Sequence, residues 1–220
     1  MKKLFLLIVT IFLIGCGDST KPKDNPYKMH NDITVTIFWV GEEASEDNGK
    51  ITNVVSAWDV NWVFNFGGVD DPYNRPLSFK PKENPFYFAL PYNDLDKDNY
   101  GAKKTDLSYI PWADKNSDKR SICKNRWIKI IKEDKIAYAQ WEDVGPFGED
   151  DKEYVFGDKR PKNLINDNAG LDVSPAVRDF LDLKGIDKVN WQFVDDKDVP
   201  DGPWRETITT SDVNWSQINQ

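Results

Sequence analysis

The sequence predicts one mainly β domain that contains a single short helix. Its apolar residues fall in short runs rich in β-branched and aromatic side chains, as at residues 33–40, and such runs are typical of strands. Only the segment 174–181 combines helical spacing of apolar residues with a capping residue ahead of it. Aromatic residues make up 13% of the 220 residues, so a core can form although only 39% of the chain is hydrophobic.

Residues 1–15 are interpreted as a signal peptide. Lys2 and Lys3 precede an apolar run that is too short to span a bilayer. The run ends in Leu-Ile-Gly-Cys, which resembles the bacterial lipobox, and this resemblance implies that Cys16 is lipidated and anchors the protein to a membrane. Gly17 follows the cysteine where some lipoproteins carry Asp, so the sequence resembles lipoproteins of the outer membrane, facing the periplasm or the cell surface.

Residues 16–32 are predicted to form a flexible tether, because they are polar, contain two prolines and show no periodicity. His30, the one histidine, falls within this tether. The domain proper is then 33–220, and its first strand is predicted at 33–40.

Five further segments are predicted around the central part of the domain. They are a strand at 86–90, a charged insertion at 95–120 that forms a mobile loop over one mouth of the domain, two hairpin strands at 126–131 and 135–141, and a C-terminal strap at 196–220 that packs back through Trp204.

Two acids stand where extended runs meet turn-forming residues. Asp143 precedes Val-Gly-Pro and Asp172 precedes Val-Ser-Pro, where a rigid scaffold can present a carboxylate to a cleft. Ser174 is a good N-cap for a short helix directly after Asp172, and Gly185 is its predicted stop. Residues 189–193 then alternate as in a half-buried strand. The predicted order is strand, acid-bearing loop, strand, helix, strand.

The segments W-E-D-V-G-P-F, G-L-D-V-S-P-A-V and V-N-W-Q-F-V resemble the core of double-psi β-barrel domains of the rare lipoprotein A type. Residues 138–157 also resemble a segment of membrane-bound lytic transglycosylase A, and the barrel is shared with expansins. The resemblance covers residues 86–195 and implies a six-stranded barrel that binds glycan strands. Where rare lipoprotein A domains supply a histidine, this chain has Tyr87, which leaves Asp94 as a candidate second acid.

The acids suit glycoside chemistry. Cleavage of a glycosidic bond needs a carboxylic acid to protonate the leaving oxygen, and hydrolysis commonly adds a second carboxylate. Asp143, Asp172 and Asp94 are the candidate catalytic residues. A lytic transglycosylase needs only one of them, because the muramyl 6-hydroxyl replaces water as the nucleophile. An Asp before either turn can also cap that turn, so a structural role for Asp143 and Asp172 stays open.

Aromatic residues are the candidate substrate-binding groups, since exposed rings stack on sugars. Residues 54–68 carry Trp58, Trp62 and Phe66 at four-residue spacing, which favours packing in a core but also fits a sugar shelf. Trp141, beside Asp143, and Tyr92, at the end of the 86–90 strand, complete the candidate set with Trp58 and Trp62.

Composition limits the partners and the chemistry. The formal net charge of −8 argues against a nucleic-acid partner, because phosphate binding needs clustered Lys and Arg. With Cys16 in the lipobox, Cys123 is left without a disulfide partner and is predicted to be a semi-buried structural thiol. One histidine is too few for the common histidine-based sites, so no metal or other cofactor is expected. The protein is expected to be a monomer.

Three functions remain open from the sequence. The first is an envelope lipoprotein that binds peptidoglycan or another polysaccharide and cleaves it as a lytic transglycosylase. The second is a non-catalytic, expansin-like glycan-binding module. The third is a structural lipoprotein or adaptor that has lost sugar binding. A pair of acids flanked by exposed aromatic rings would favour the first, and a single acid without an exposed Trp would favour the third.

Overall fold

The computed structural model describes residues 25–46, 48–96, 102–105, 107–113 and 121–214. Six strands close a barrel in the order β1, β7, β2, β6, β5, β8, and β3 pairs with β4 in a separate hairpin. The strands are β1 Met29–Ile37, β2 Tyr87–Leu90, β3 Leu95–Asp96, β4 Ala102–Lys103, β5 Trp127–Lys132, β6 Lys135–Val144, β7 Leu171–Val173 and β8 Asp187–Val194. The α-helices are α1 Trp62–Phe66, α2 Lys152–Val155 and α3 Pro175–Leu181.

The barrel is mixed. β1 runs parallel to β7 and β2 runs parallel to β6, whereas the other neighbours are antiparallel. The prediction of a mainly β, six-stranded barrel is confirmed, and this topology is compatible with a double-psi barrel. None of the helices in the described part of the chain is long and apolar enough to cross a membrane. The predicted signal peptide, Cys16 and the first part of the tether lie outside the described residues.

β1 begins earlier than the sequence indicated. It starts at Met29, so the assignment of residues 29–32 to a flexible tether is wrong. His30 is 5% exposed, and its ring stacks on that of Trp191 with centroids 4.0 Å apart. The stacking of His30 on Trp191 of β8 therefore helps to hold residues 29–32 in the sheet, although these residues look polar in the sequence. Burial also lowers the pKa of His30 to about 4.

Two local predictions are confirmed closely. β5 and β6 form a hairpin joined at Glu133 and Asp134, with Lys132 paired to Lys135. In α3, the Ser174 side chain accepts a hydrogen bond from the Val177 backbone N–H at 3.3 Å.

The predicted end of α3 at Gly185 is wrong. The helix ends at Leu181, and its C-cap residue, Asp182, adopts the left-handed conformation with φ 54°. The Leu183 N–H then bonds the Arg178 carbonyl at 2.9 Å, which closes the helix without a glycine.

The core has two parts, because successive residues of β2 point to opposite faces. Phe88 and Leu90 join the large cluster inside the barrel, whereas Tyr87 and Ala89 point outward. The outward pair is covered by a smaller group, here called the outer cluster, which consists of Phe38, Val40, Trp62, Phe66, Tyr87 and Ala89. The segment that follows β1 therefore folds back over the outside of the barrel.

The C-terminal strap packs on the barrel as predicted. Trp204 is 5% exposed and meets the rings of Phe86 and Phe180 edge-on. Further along, the Asn214 N–H bonds the Trp58 carbonyl at 2.7 Å and ties the strap to the segment over the outer face.

The charged insertion at 95–120 is described only in part. Trp112 from this insertion packs edge-on against Phe156 and Phe193 of the barrel core, and its indole N–H bonds the Ile122 carbonyl at 2.7 Å. Cys123, just after the insertion, is fully buried rather than semi-buried and forms no disulfide.

Candidate functional site

Two of the predicted acids lie in one row across the outer face of the barrel. Ala89 of β2 is in register with Asp143 on β6 and with Asp172 on β7. Asp172 is in turn in register with Thr36 on β1. Residues in register on neighbouring strands share a face, and strands lie about 4.8 Å apart, so the two acids stand about 10 Å apart at the backbone with only Ala89 between them.

A β-bulge puts Asp143 in this row. Phe88 pairs with Trp141, but the next residue, Ala89, pairs with Asp143, so Glu142 is the extra residue. Trp141 belongs to the barrel interior, and in a regular strand Asp143 would point the same way. The bulge turns Asp143 to the outer face, beside Asp172.

Asp172 is the most perturbed acid of the row. Thr36 Oγ1 donates a hydrogen bond to its Oδ1. Burial, with smaller contributions from the charges of Asp143 and Glu42, raises the pKa of Asp172 to about 7, against the lowering effect of the Thr36 hydrogen bond. The residue still keeps a partly exposed surface. It can therefore hold or release a proton near neutral pH.

Asp143 is held firmly by backbone donors. Its Oδ1 accepts hydrogen bonds from the N–H of Ala57 at 2.7 Å and from its own neighbour Val144 at 2.8 Å, and the residue is 6% exposed. Ala57 belongs to the segment over the outer face, so this contact also fixes that segment above the acid row. These backbone bonds fit the predicted turn-capping role of Asp143, and the strand register places the same carboxylate in one row with Asp172.

Gly145 leaves room next to Asp172. A Cβ at this position would lie 3.3 Å from Asp172 Oδ2 and 3.9 Å from the Ala89 Cβ. Because Gly145 carries no side chain, its backbone can approach the carboxylate, and the Gly-Pro turn after β6 forms one wall of the site.

Asp94 has a different setting. Its carboxylate accepts hydrogen bonds from Ser121 Oγ and from the Ile122 N–H, both at 2.7 Å, and it is fully buried. These bonds anchor the chain where it leaves the insertion, so Asp94 has a structural role. Tyr87, at the position of the histidine in the resembled domains, donates its hydroxyl to Asp70 at 2.8 Å and lies in the outer cluster.

The four predicted sugar-binding rings are all buried. Trp58, Trp141 and Tyr92 are 0% exposed and Trp62 is 2% exposed, so the expectation that they offer a ring face to a sugar is wrong. Trp141 and Tyr92 are close in sequence to Asp143 and Asp94, but the sequence pattern did not indicate which face of the barrel each ring would take. Trp141, for instance, stacks on Phe88 inside the barrel.

Two residues near the acid row, Thr36 and Glu42, were missed from the sequence, and so was the partly exposed ring of Trp39. Thr36 bonds Asp172, and Glu42 is 7% exposed with its carboxylate held by Asn53 Nδ2 at 2.7 Å. Burial raises the pKa of Glu42 as well. Trp39, between Thr36 and Glu42, is partly exposed and meets the exposed ring of Tyr73 edge-on at 6.5 Å. The sequence signal that could have identified Trp39 is its place at the end of the β-branched run at residues 33–40.

A buried ion pair lies directly beside the row. Lys124 Nζ contacts Glu142 Oε2 at 2.7 Å, and both side chains are less than 5% exposed. Lys124 also donates to Ser211 Oγ of the strap at 3.2 Å, and that hydroxyl donates to Glu83. Burial raises the pKa of Glu142 to about 7, although the charge of Lys124 acts in the opposite direction. This pair links the bulge to the strap.

The described residues contain no group of three or more His, Cys, Asp or Glu side chains arranged to hold a metal ion. The chemistry that this site supports is proton transfer by a carboxyl group. Comparisons of the chain with protein-family models, with curated proteins and with solved structures found no match.

Proposed function

We propose that this protein is a cell-envelope lipoprotein whose double-psi type barrel binds glycan, with peptidoglycan as the substrate, and that Asp172 acts as acid and then base in lytic cleavage. The observation that carries the proposal is the acid row, in which a partly exposed carboxyl with a pKa of about 7 faces a second acid across one alanine. A general acid works best when its pKa lies near the operating pH.

The protonated form of Asp172 starts the reaction. It gives its proton to the glycosidic oxygen as the bond from that oxygen to the muramyl C1 breaks. The positive charge that develops at the sugar ring is stabilised by the negative charge of Asp143. The Asp172 carboxylate then takes the proton of the muramyl 6-hydroxyl as this oxygen bonds to C1. Asp172 gives up one proton and takes one back, so it returns to its protonated form.

Trp39 and Tyr73 are the rings that we assign to sugar binding, in place of the four buried ones. Tyr73 is 86% exposed, and its loop is fixed by Asp71, whose Oδ1 accepts hydrogen bonds from the Tyr73 and Asn74 N–H groups at 2.7 and 3.0 Å. An exposed ring on a fixed turn stacks on a sugar at low entropic cost.

The test is digestion of purified peptidoglycan by the full chain, with soluble products identified by mass spectrometry over a pH series. We expect anhydro-muropeptides from the wild type and from Asp134→Asn, a control in the β5–β6 turn, and none from Asp172→Asn. The rate should fall above about pH 7, because the proton on Asp172 is lost. In Asp143→Asn, this fall should move modestly to lower pH, because the smaller contribution of the Asp143 charge to the raised pKa of Asp172 is gone while that of burial remains. Unchanged product from Asp172→Asn would rule out the mechanism.

A second function is favoured by the burial of the four predicted rings. This second function is that of a structural lipoprotein, which needs no exposed ring at the acid row. Neither a structural lipoprotein nor a non-catalytic glycan-binding module needs an Asp172 that titrates near neutral pH. Sedimentation of the wild type with peptidoglycan but without products would indicate the binding module. Neither binding nor products would indicate the structural role.

The membrane anchor is a separate part of the proposal, and it is supported by the Leu-Ile-Gly-Cys motif. Cys16→Ser should move the protein from the membrane fraction to the soluble fraction, because the residue that carries the acyl chains is lost. Fractionation followed by mass spectrometry of the N-terminal peptide measures this. A Cys16→Ser variant that stays in the membrane would contradict the anchor.

A further inference from the structure

Residues 158–168, here called loop 158–168, lie against the N-terminal part of the domain. Asp158 forms an ion pair with Lys28. Arg160 donates to the carbonyls of Asn31 and Asp32, and Thr34 Oγ1 donates to the Asp167 carbonyl at 2.6 Å. The loop therefore follows the first half of β1.

This loop displays two apolar side chains to solvent. Leu164 is 84% exposed and Ile165 is 53% exposed, although both belong to residue types that usually find a core. No other two adjacent large hydrophobic residues in the described part of the chain are exposed to this extent.

Internal bonds hold the loop in a fixed shape. Asn163 accepts from the Ile165 N–H at 2.8 Å and donates to the Ala169 carbonyl at 2.9 Å. Asn166, Asp167 and Asn168 all adopt positive φ, between 49° and 58°, which Asn and Asp tolerate better than most residues. The exposed pair thus sits at the tip of an ordered turn.

The charges around the loop are largely neutralised. Lys188 pairs with Asp167 at 2.9 Å, and Lys162 pairs with Glu153 at 3.2 Å. Lys159 and Arg160 add positive charge next to the apolar tip. A tip of this composition is compatible with lipid headgroups of either zero or negative charge.

Asn25, the first described residue, follows Cys16 closely along the chain. The segment between them spans at most about 30 Å when fully extended, at roughly 3.3 to 3.6 Å for each residue. A lipidated Cys16 would therefore keep the N-terminal side of the domain, and the loop beside it, close to the bilayer.

We infer that loop 158–168 is the face of the domain that rests on a lipid bilayer, with Leu164 and Ile165 inserted among the headgroups. The inference rests on the proposed lipid anchor and is independent of glycan cleavage. Its consequence is an orientation: Thr36 and Asp172 lie toward the far end of β1, and the outer cluster lies beyond it. The acid row would then face away from the lipid.

The test places a fluorescent label at one of two exposed positions in the full lipidated chain. Leu164→Cys labels the loop, and Phe64→Cys labels α1, where the native side chain is 77% exposed. Cys123 is fully buried, and a lipidated Cys16 has no free thiol, so the label reports the introduced cysteine. The protein is reconstituted into phosphatidylethanolamine and phosphatidylglycerol vesicles that contain nitroxide-labelled lipid.

We expect lipid quenching at residue 164 to be about threefold or more stronger than at residue 64, and Ile165→Asp in the Leu164→Cys chain should reduce it by about half. Equal quenching at both positions would mean that the domain has no preferred face and would overturn the inference. Mass spectra without acyl chains on Cys16 would overturn it too. Peptidoglycan digestion is measured separately, and its result stands whichever position is quenched more strongly.

Discussion

Replacement of Asp172 by Asn should stabilise the protein at alkaline pH but not at acidic pH. The pKa of Asp172 is about 7 in the folded chain, against an ordinary value of 3.8. The folded state therefore binds this proton more tightly than the unfolded chain does. The contribution of the group to the free energy of unfolding is present below pH 3.8 and is lost as the pH rises toward 7.

The size of the effect follows from the pKa difference of about 3 units. Each unit corresponds to about 1.4 kcal/mol, so the ceiling is about 4 kcal/mol. Because Asp172 keeps a partly exposed surface, solvent screening reduces this, and we expect a gain of about 2 kcal/mol for Asp172→Asn at pH 8. The Asn carbonyl can still accept the hydrogen bond from Thr36, so no donor is left unpaired.

Urea unfolding followed by tryptophan fluorescence at pH 4.5 and pH 8 measures the prediction. The control is Asp134→Asn, in the exposed turn between β5 and β6, which should give the same small difference from the wild type at both pH values. An Asp172→Asn chain whose gain does not grow with pH would refute the reasoning. A loss of several kcal/mol would instead indicate that the carboxylate has a structural role.

The remaining predictions concern binding and stability. Trp39→Ala should weaken cosedimentation with peptidoglycan while the melting temperature stays near that of the wild type. Trp58→Ala, in the core, should instead lower the free energy of unfolding by about 3 to 5 kcal/mol. Equal melting temperatures of the two variants would contradict the assignment of Trp39 to the surface and Trp58 to the core. Lys124→Met leaves Glu142 without its buried partner and should lower the free energy of unfolding by about 3 kcal/mol at pH 8. The loss should be smaller at pH 5, where Glu142 is protonated, and chemical denaturation at both pH values measures the difference. Ser174→Ala removes the N-cap of α3 and should cost about 1 kcal/mol by urea unfolding, with Ser174→Thr close to the wild type.

The sequence predicted the elements that depend on local signals. The N-cap at Ser174 and the hairpin around Glu133 are set by residues within a few positions of each other, and both are present. The ends of elements were less well predicted. The end of α3 depends on a left-handed Asp182, and the start of β1 depends on a ring on β8 that lies far along the chain.

The acid pair was likewise predicted only as far as local signals allow. Its members, Asp143 and Asp172, were predicted because each stands where a strand meets a turn. Their closeness depends on Ala89, since β2 lies between β6 and β7 in the barrel. Strand order and the face that a ring takes are set by contacts between distant segments, which residue patterns do not carry. The favoured interpretation of Trp58 as a core residue is confirmed, but the sequence left its alternative role in a sugar shelf open, and the partly exposed Trp39 was missed.

The bulge at Glu142 also governs how this strand can change in length. In a strand of the same length without the bulge, the carboxylate of residue 143 would point into the barrel interior, among Phe88 and its neighbours. If Glu142 were removed instead, the carboxylate would follow Trp141 directly and would stay on the outer face. A residue-by-residue alignment of β6 with an unbulged strand would place this carboxylate on the wrong face. Sequence relatives that keep the acid row should therefore have the acid two residues after the position of Trp141 where the bulge is present, and directly after that position where the bulge residue is missing.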